Sequence, residues 1–321
     1  MNKILTPLSN IKYLDELIDH GAEEFYLGFY DASWDEEFGT YREINRMSGF
    51  KEGANIYSFE DCLNAVNEII KRGKSVYVAI NSSSYSKDEI EKIKYYLRKI
   101  KEAKATGVIV STIKEVEYAK EIGLESIAST LCGIYNDQIS KYYKKAGCFH
   151  QVLPRDLSLD EIESIVSKNK DVKYEVFIMR NGCQFSDSHC LGFHKKEFGS
   201  TCGMLRRITQ MIHSTRKDFE GRNEVEYNNI LFRDYFHLTA SCGLCALYRF
   251  NKMGIYAYKI VGRNDSAAEV SLDVEIIKKN IEIAMQSKTE EEYLKNMKLP
   301  LNSYIGCKKG LGCYYPEIRF K

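Results

Sequence analysis

Four cysteines, Cys183, Cys190, Cys202 and Cys242, are the residues of this chain best suited to do chemistry. The first two lie in Glu175-V-F-I-M-R-N-G-Cys183-Q-F-S-D-S-H-Cys190, a strand-like run that breaks into a polar loop. Free cysteines that merely fill a core sit among apolar neighbours, so this setting argues against simple packing. The opening MNKILTPLSN has no apolar segment of the secretory type, so a cytoplasmic location is expected, where thiols stay reduced. Thiolates gathered from one loop and completed by a distant residue are what zinc or an iron–sulfur cluster requires. Cys183 and Cys190 are separated by six residues, more than the roughly two to four of a zinc ribbon. Four thiolates nevertheless suit either group, and His189 or His194 offers a nitrogen ligand for a zinc site.

The remaining cysteines divide by context. Cys62 falls on the apolar side of a helical pattern and Cys148 beside an apolar strand, so both read as core. Cys242-G-L-Cys245 precedes a helical run and is either a redox pair or one ligand with a packed neighbour. Cys307 and Cys313, in a Gly/Lys-rich tail, are weaker candidates for a second metal, with Cys245 as a third thiolate. Peptidase signatures are missing: no H-E-x-x-H and no G-x-S-x-G occurs. Nor does a G-x-G-x-x-G follow the first strand, and there is no G-x-x-x-x-G-K-[ST].

Something must position these residues, and the chain alternates short β-branched runs with amphipathic helical stretches. Strands are expected at 3–8, 23–29, 74–81, 107–111, 125–129, 150–155, 173–179, 237–241 and 256–262. Helices are expected over Ile11–His20, Ser58–Arg72, Ser86–Ala105, Ile113–Ile122, Asp137–Ala146 and Ser158–Lys168. Ser58 and Ser158 carry acids about three residues behind them, as N-caps do, and Gly21, Gly73, Gly123 and Gly147 sit where helices end. The rhythm implies parallel strands joined by crossover helices, and it suits a one-domain (β/α)8 TIM-barrel-like fold. In such a barrel function gathers at the C-terminal ends of the strands. Gly28, Asn81, Ser129, Arg155, Asn181 and Cys183 are therefore expected on one rim. The barrel domain is expected over 1–288, with a cysteine-rich excursion at 183–245 over that rim and a C-terminal extension at 289–321.

The totals exclude little but steer the reading. Of 321 residues, 46 are Lys or Arg and 45 are Asp or Glu, a net charge of +1 that gives no support to a strongly basic nucleic-acid binder. The basic stretch at 206–217 still leaves RNA open. No run approaches the ~18 apolar residues of a membrane span.

Taken in order, several segments resemble the collagenase-like peptidase family U32. Glu175-V-F-I-M-R-N-G-Cys183 is similar to its signature, in which Glu-x-Phe precedes a cysteine at this distance. L5-T-P-L-S-N-I-K-Y-L-D-E-L-I-D-H-G-A-E-E-F-Y-L-G28, K74-S-V-Y-V-A-I-N81, S129-T130 with N136, V152-L-P-R155-D-L-S158 and K259-I-V-G262-R263 are also family-like. The likeness runs over roughly 3–265. It implies a barrel and a [4Fe–4S] cluster held by Cys183, Cys190, Cys202 and Cys242, since relatives include iron–sulfur proteins of oxygen-independent hydroxylation. Two departures stand out. Asp187-Ser188-His189 replaces the family's usual Ser-Gly-Arg, and Arg206 stands where a further cysteine often occurs.

The expected function is accordingly a cluster-dependent hydroxylation or related redox modification of an organic or nucleobase substrate. Zinc is the alternative occupant. Glu175 and Arg263 are the candidate catalytic residues and Asn81 and Arg155 the candidate substrate contacts, although Glu175 and Arg263 could equally pair to brace the barrel. Two other readings compete: a peptidase of unknown catalytic type, and a non-catalytic metal-binding subunit. Some relatives act in pairs, so the resemblance implies a homo- or heterodimer.

Overall fold

Eight runs too short and too apolar for surface helices become eight parallel strands. The structure, a computed structural model, describes residues 2–183, 186–188, 190, 241–300 and 312–318. In chain order the strands are β1 (Lys3–Pro7), β2 (Glu24–Leu27), β3 (Ser75–Ala79) and β4 (Gly107–Val110), then β5 (Glu125–Ala128), β6 (His150–Val152), β7 (Lys173–Met179) and β8 (Ala257–Ile260). Each pairs in parallel with the next, and β8 returns to β1 with Lys3 opposite Ala257 and Leu5 opposite Lys259, closing the barrel. The expected (β/α)8 TIM barrel is the fold. The strand expected at 237–241 lies almost entirely outside the described residues.

Helices wrap the outside: α1 (Leu14–Asp19), α2 (Ala32–Phe38), α3 (Phe59–Lys71), α4 (Lys87–Glu102) and α5 (Ile113–Glu121). They are followed by α6 (Asp137–Ala146), α7 (Leu159–Lys168), α8 (Leu247–Met253), α9 (Ala267–Gln286) and α10 (Glu290–Asn296). The local signals act as expected. Ser58 Oγ accepts the Asp61 N–H, and Ser158 with Glu161 forms a reciprocal capping box. Gly147 closes α6 at φ 114°, a region closed to most side chains, and Gly21, Gly73 and Gly123 also have positive φ. The buried faces of the helices meet the strands in one continuous core, which includes Cys62 and Cys148 as expected.

Two segments, the turn after β7 and residues 312–318, are built into the rim. After β7, Arg180 and Asn181 both take left-handed backbone, φ 66° and 45°, an unusual and costly state for non-glycine residues. The turn is pinned by Arg180 N–H to Ser241 O at 2.7 Å, Gly182 N–H to Ser241 Oγ at 2.9 Å and Asn181 Nδ2 to Asp265 Oδ2 at 2.7 Å. From the expected extension, residues 312–318 return to the barrel. Cys242 N–H donates to Gly312 O at 2.8 Å and Tyr314 N–H to Cys242 O at 3.0 Å, while the Tyr315 hydroxyl donates to Phe177 O at 2.9 Å. The tail therefore packs on β7 beside the cysteine segment.

Candidate active site at the C-terminal rim

The end of β7 gathers the cysteine-bearing pieces. Cys183 follows the strained turn, and Cys242 pairs with Met179, the last residue of β7, on one side and with Cys313 on the other. Cys183 and Cys190 are partly exposed and Cys242 is buried. Cys242 Sγ accepts the Leu244 N–H at 3.5 Å, as the chain turns into the helical run that leads to α8. An N–H aimed at sulfur favours thiolate over thiol, and such bonds tune thiolate-held clusters. The donor chemistry thus fits a soft metal or an iron–sulfur group. Among the described residues no three His, Cys, Asp or Glu side chains already stand together as a metal cage. A cluster would draw Cys183, Cys190 and Cys242 together with Cys202, which lies outside the described residues, as do His189, His194 and Cys307. Cys245 is buried one turn beyond Cys242, beneath Tyr293, whose hydroxyl donates to Leu244 O at 2.6 Å.

Beside Cys183 is a cavity of about 300 Å³, whose lining includes Arg155, Ser158, Cys183, Cys313, Tyr314 and Glu317. Arg155 rests on the Phe177 ring, with its guanidinium carbon 4.5 Å from the centroid, and donates to Asn181 O at 2.7 Å. It also forks onto Asp187, Nε to Oδ2 at 2.8 Å and Nη2 to Oδ1 at 3.2 Å. Arg46 reaches the same carboxylate at 2.5 Å. Burial alone would raise the Asp187 carboxyl, but the two guanidinium groups outweigh it and hold it at about 2. Asn81, at the end of β3, accepts the Arg46 N–H at 3.5 Å, so both expected substrate contacts belong to one neighbourhood.

Glu175 and Arg263 do not pair, so the bracing role foreseen for them takes another form. Glu175, 0% exposed inside the barrel, meets His150 Nε2 at 2.7 Å and Lys259 Nζ at 3.2 Å. Burial opposes its ionisation, yet Lys259 and His150 prevail and hold it at about 2. Lys259 lies over the Tyr26 ring at 4.3 Å. Arg263, 6% exposed, stands higher, beyond β8, donating Nη1 to Asn55 Oδ1 at 3.2 Å and Nη2 to Asn45 Oδ1 at 3.0 Å. It has no carboxylate partner among the described residues, and burial lowers it to about 10. Gly28 makes room for it: a Cβ there would collide with Arg263 Nη1 and Asn55 Oδ1. His150, Arg46, Asn45, Asn55 and Tyr314 carried no sequence signal, and Asp187 and Lys259 stood in the quoted segments without a site role. Lys259 carried a signal, being a charge inside an apolar strand that must find a buried partner.

A model of Peptidase family U32 matches residues 9–316. The chain belongs to Peptidase family U32. The match reaches the tail, further than the 3–265 legible from motifs. A U32 relative from Methanocaldococcus jannaschii, named an uncharacterized protease, is 24% identical over 330 residues, covering 99% of this chain and 74% of its own. The collagenase of Porphyromonas gingivalis is 24% identical, covering 81% of this chain, which spans 61% of that protein. The tRNA hydroxylation protein P of Escherichia coli is 23% identical over 71% of this chain, which spans 48% of it. Among solved structures, a U32 peptidase superposes with a TM-score of 0.51 at 11% identity, covering 81% of this chain and 92% of that one, a likeness of fold.

Proposed function

We propose that this U32 protein carries a [4Fe–4S] cluster on Cys183, Cys190, Cys202 and Cys242 and acts in the cytoplasm in oxygen-independent hydroxylation, or a related redox modification, of an organic or nucleobase substrate. The observation that carries the reading is the meeting of the Cys183 turn and Cys242 at the end of β7, with an amide aimed at Cys242 Sγ. Relatives named for tRNA hydroxylation, and one of Escherichia coli named 23S rRNA 5-hydroxycytidine C2501 synthase, support the choice of chemistry. When bound, such a cluster supplies electron transfer at a potential set by charge, burial and hydrogen bonds to sulfur.

The chain's own residues supply the rest. Arg263, held by the Asn55 and Asn45 amides rather than by an acid among the described residues, is the anchor for a carboxylate or phosphate oxygen of the substrate. Arg155 lines the cavity, Asn81 holds the backbone of its neighbour Arg46, and Glu175 with His150 and Lys259 forms a proton-bearing group sealed from water. The peptidase reading rests on the names of relatives. Among the described residues neither imidazole, His20 or His150, is hydrogen-bonded to a serine or cysteine, the pairing a nucleophilic peptidase needs.

Protein purified without air should be brown and hold about four iron and four sulfide per chain. Cys242→Ala should abolish that content and Cys245→Ala should keep it. Colourless protein with one zinc per chain would overturn the cluster. Peptide cleavage that survives metal removal would favour the peptidase. Full loading without turnover of any nucleobase or phenolic substrate would favour a non-catalytic subunit, to be checked for a homo- or heterodimer by light scattering.

A further inference from the structure

The polar loop between Cys183 and Cys190 departs from the family pattern at Asp187, and that departure has a built counterpart. Asp187 is 0% exposed. Burying an unpaired carboxylate costs several kcal/mol, so a buried one marks the place where its partners were assembled. Both partners come from the barrel: Arg46 from the segment after β2 and Arg155 from the end of β6. Arg155 grips with two nitrogens and spends a third on Asn181 O, in the strained turn that leads into Cys183. Asp187 O, in turn, accepts the Cys190 N–H at 3.3 Å. On either side of Asp187, the hydroxyls of Ser186 and Ser188 meet Tyr135, which also donates to Asp156 Oδ2 at 3.1 Å.

We infer that Asp187 is a positioning residue, a latch that fixes the Cys183–Cys190 loop to the rim through Arg155 and Arg46. One carboxylate between two guanidinium groups leaves a net positive charge, so the latch also places a cation beside thiolates that a metal would otherwise hold alone. Serine in this place could not join two arginines by charge. The latch stands on the geometry alone; that it serves metal loading rests on the cluster reading above.

The test uses the full chain, first metal-free and reduced, with each cysteine's rate of iodoacetamide labelling followed by mass spectrometry. Asp187→Asn and Asp187→Ala should speed Cys190 labelling by about tenfold or more, because loss of one member of a buried pair frees the segment it holds. Cys62 and Cys245, both buried, should keep their wild-type rates. Asp187→Glu, which keeps the charge, should recover most of the protection. Arg46→Met should give the same pattern as Asp187→Asn. Unchanged Cys190 labelling in both Asp187→Asn and Asp187→Ala would overturn the latch. So would a parallel rise at Cys62 and Cys245, which would report general unfolding.

Iron loading without air is the separate second reading. If wild type loads iron, Asp187→Asn should load less than half as much, or shift the midpoint potential measured by spectroscopic titration. Faster Cys190 labelling in a protein whose wild type takes up no iron would keep the latch and sink the cluster.

Discussion

Charge inside a barrel is costly, and at the residue scale Glu175 shows how the cost is met. Its carboxylate lies between His150 and Lys259 with no water access. Removing one member of such a group strands the others, so Glu175→Gln should lose about 3 kcal/mol or more in chemical denaturation. The pH dependence has a definite sign. The folded value, about 2, lies below the ordinary 4.5, so the stabilisation is complete above about pH 4.5 and is lost as pH falls toward 2. Between pH 6 and pH 3 the wild-type melting temperature should fall more than that of Glu175→Gln. Equal slopes would mean that Glu175 does not carry the acid sensitivity. Gly28 gives a second test at this scale. Gly28→Ala places a methyl group against the Arg263 guanidinium, and overpacking of this kind should cost about 1–3 kcal/mol. Arg263→Ala should relieve much of that penalty, which a double-mutant cycle would measure.

At the scale of elements, the local parts were legible and the long-range ones were not. Ser58, Ser158 and the helix-ending glycines act within a few residues, so their meaning is complete in the sequence. The barrel strands at 74–81 and 173–179 were visible for the same reason, as short apolar runs bounded by turn residues. The helix Ala32–Phe38 escaped, being short and without a sustained apolar period. The return of residues 312–318 could not be read either, because its partners, Cys242 and Phe177, are distant in sequence and joined mainly through backbone groups. The candidate site divides in the same way. Cys183, Arg155 and Asn81 were placed correctly on the rim by strand register. The partners of Asp187 and Glu175 depend on which strands close the barrel. The returning tail has its own test. Tyr315 packs edge-on to Phe250, with ring centroids 4.8 Å apart, and covers Gly243. Tyr315→Phe should cost about 1 kcal/mol, the worth of one hydrogen bond, and Tyr315→Ala about 3–5 kcal/mol in urea denaturation. A near-neutral Tyr315→Ala would show the tail to be a passive cover.

For the molecule as a whole, the question is whether the barrel needs the metal that its rim is proposed to carry. Small zinc domains fold only with their ion, because ligation replaces a core they lack. Here the barrel has a large core of its own: β8 closes on β1 through Leu5 opposite Lys259, and the apolar cluster runs from Ile4 to Ile318 around the closed sheet. Of the described thiols of the proposed site, Cys242 is buried in that core, while Cys183 and Cys190 attach at one end of β7 through the Arg180–Gly182 turn and the Asp187 latch. Removing metal with a chelator under reducing conditions should therefore leave the far-ultraviolet circular dichroism unchanged and the unfolding transition cooperative. The melting temperature should fall by about 5 °C or less, the order expected when one or two kcal/mol are lost from a domain of this size. Cys190 should become faster to alkylate in the same sample, since only the rim loses a partner. Loss of the cooperative transition on metal removal would contradict this division, and would make the cysteine segment part of the folding core.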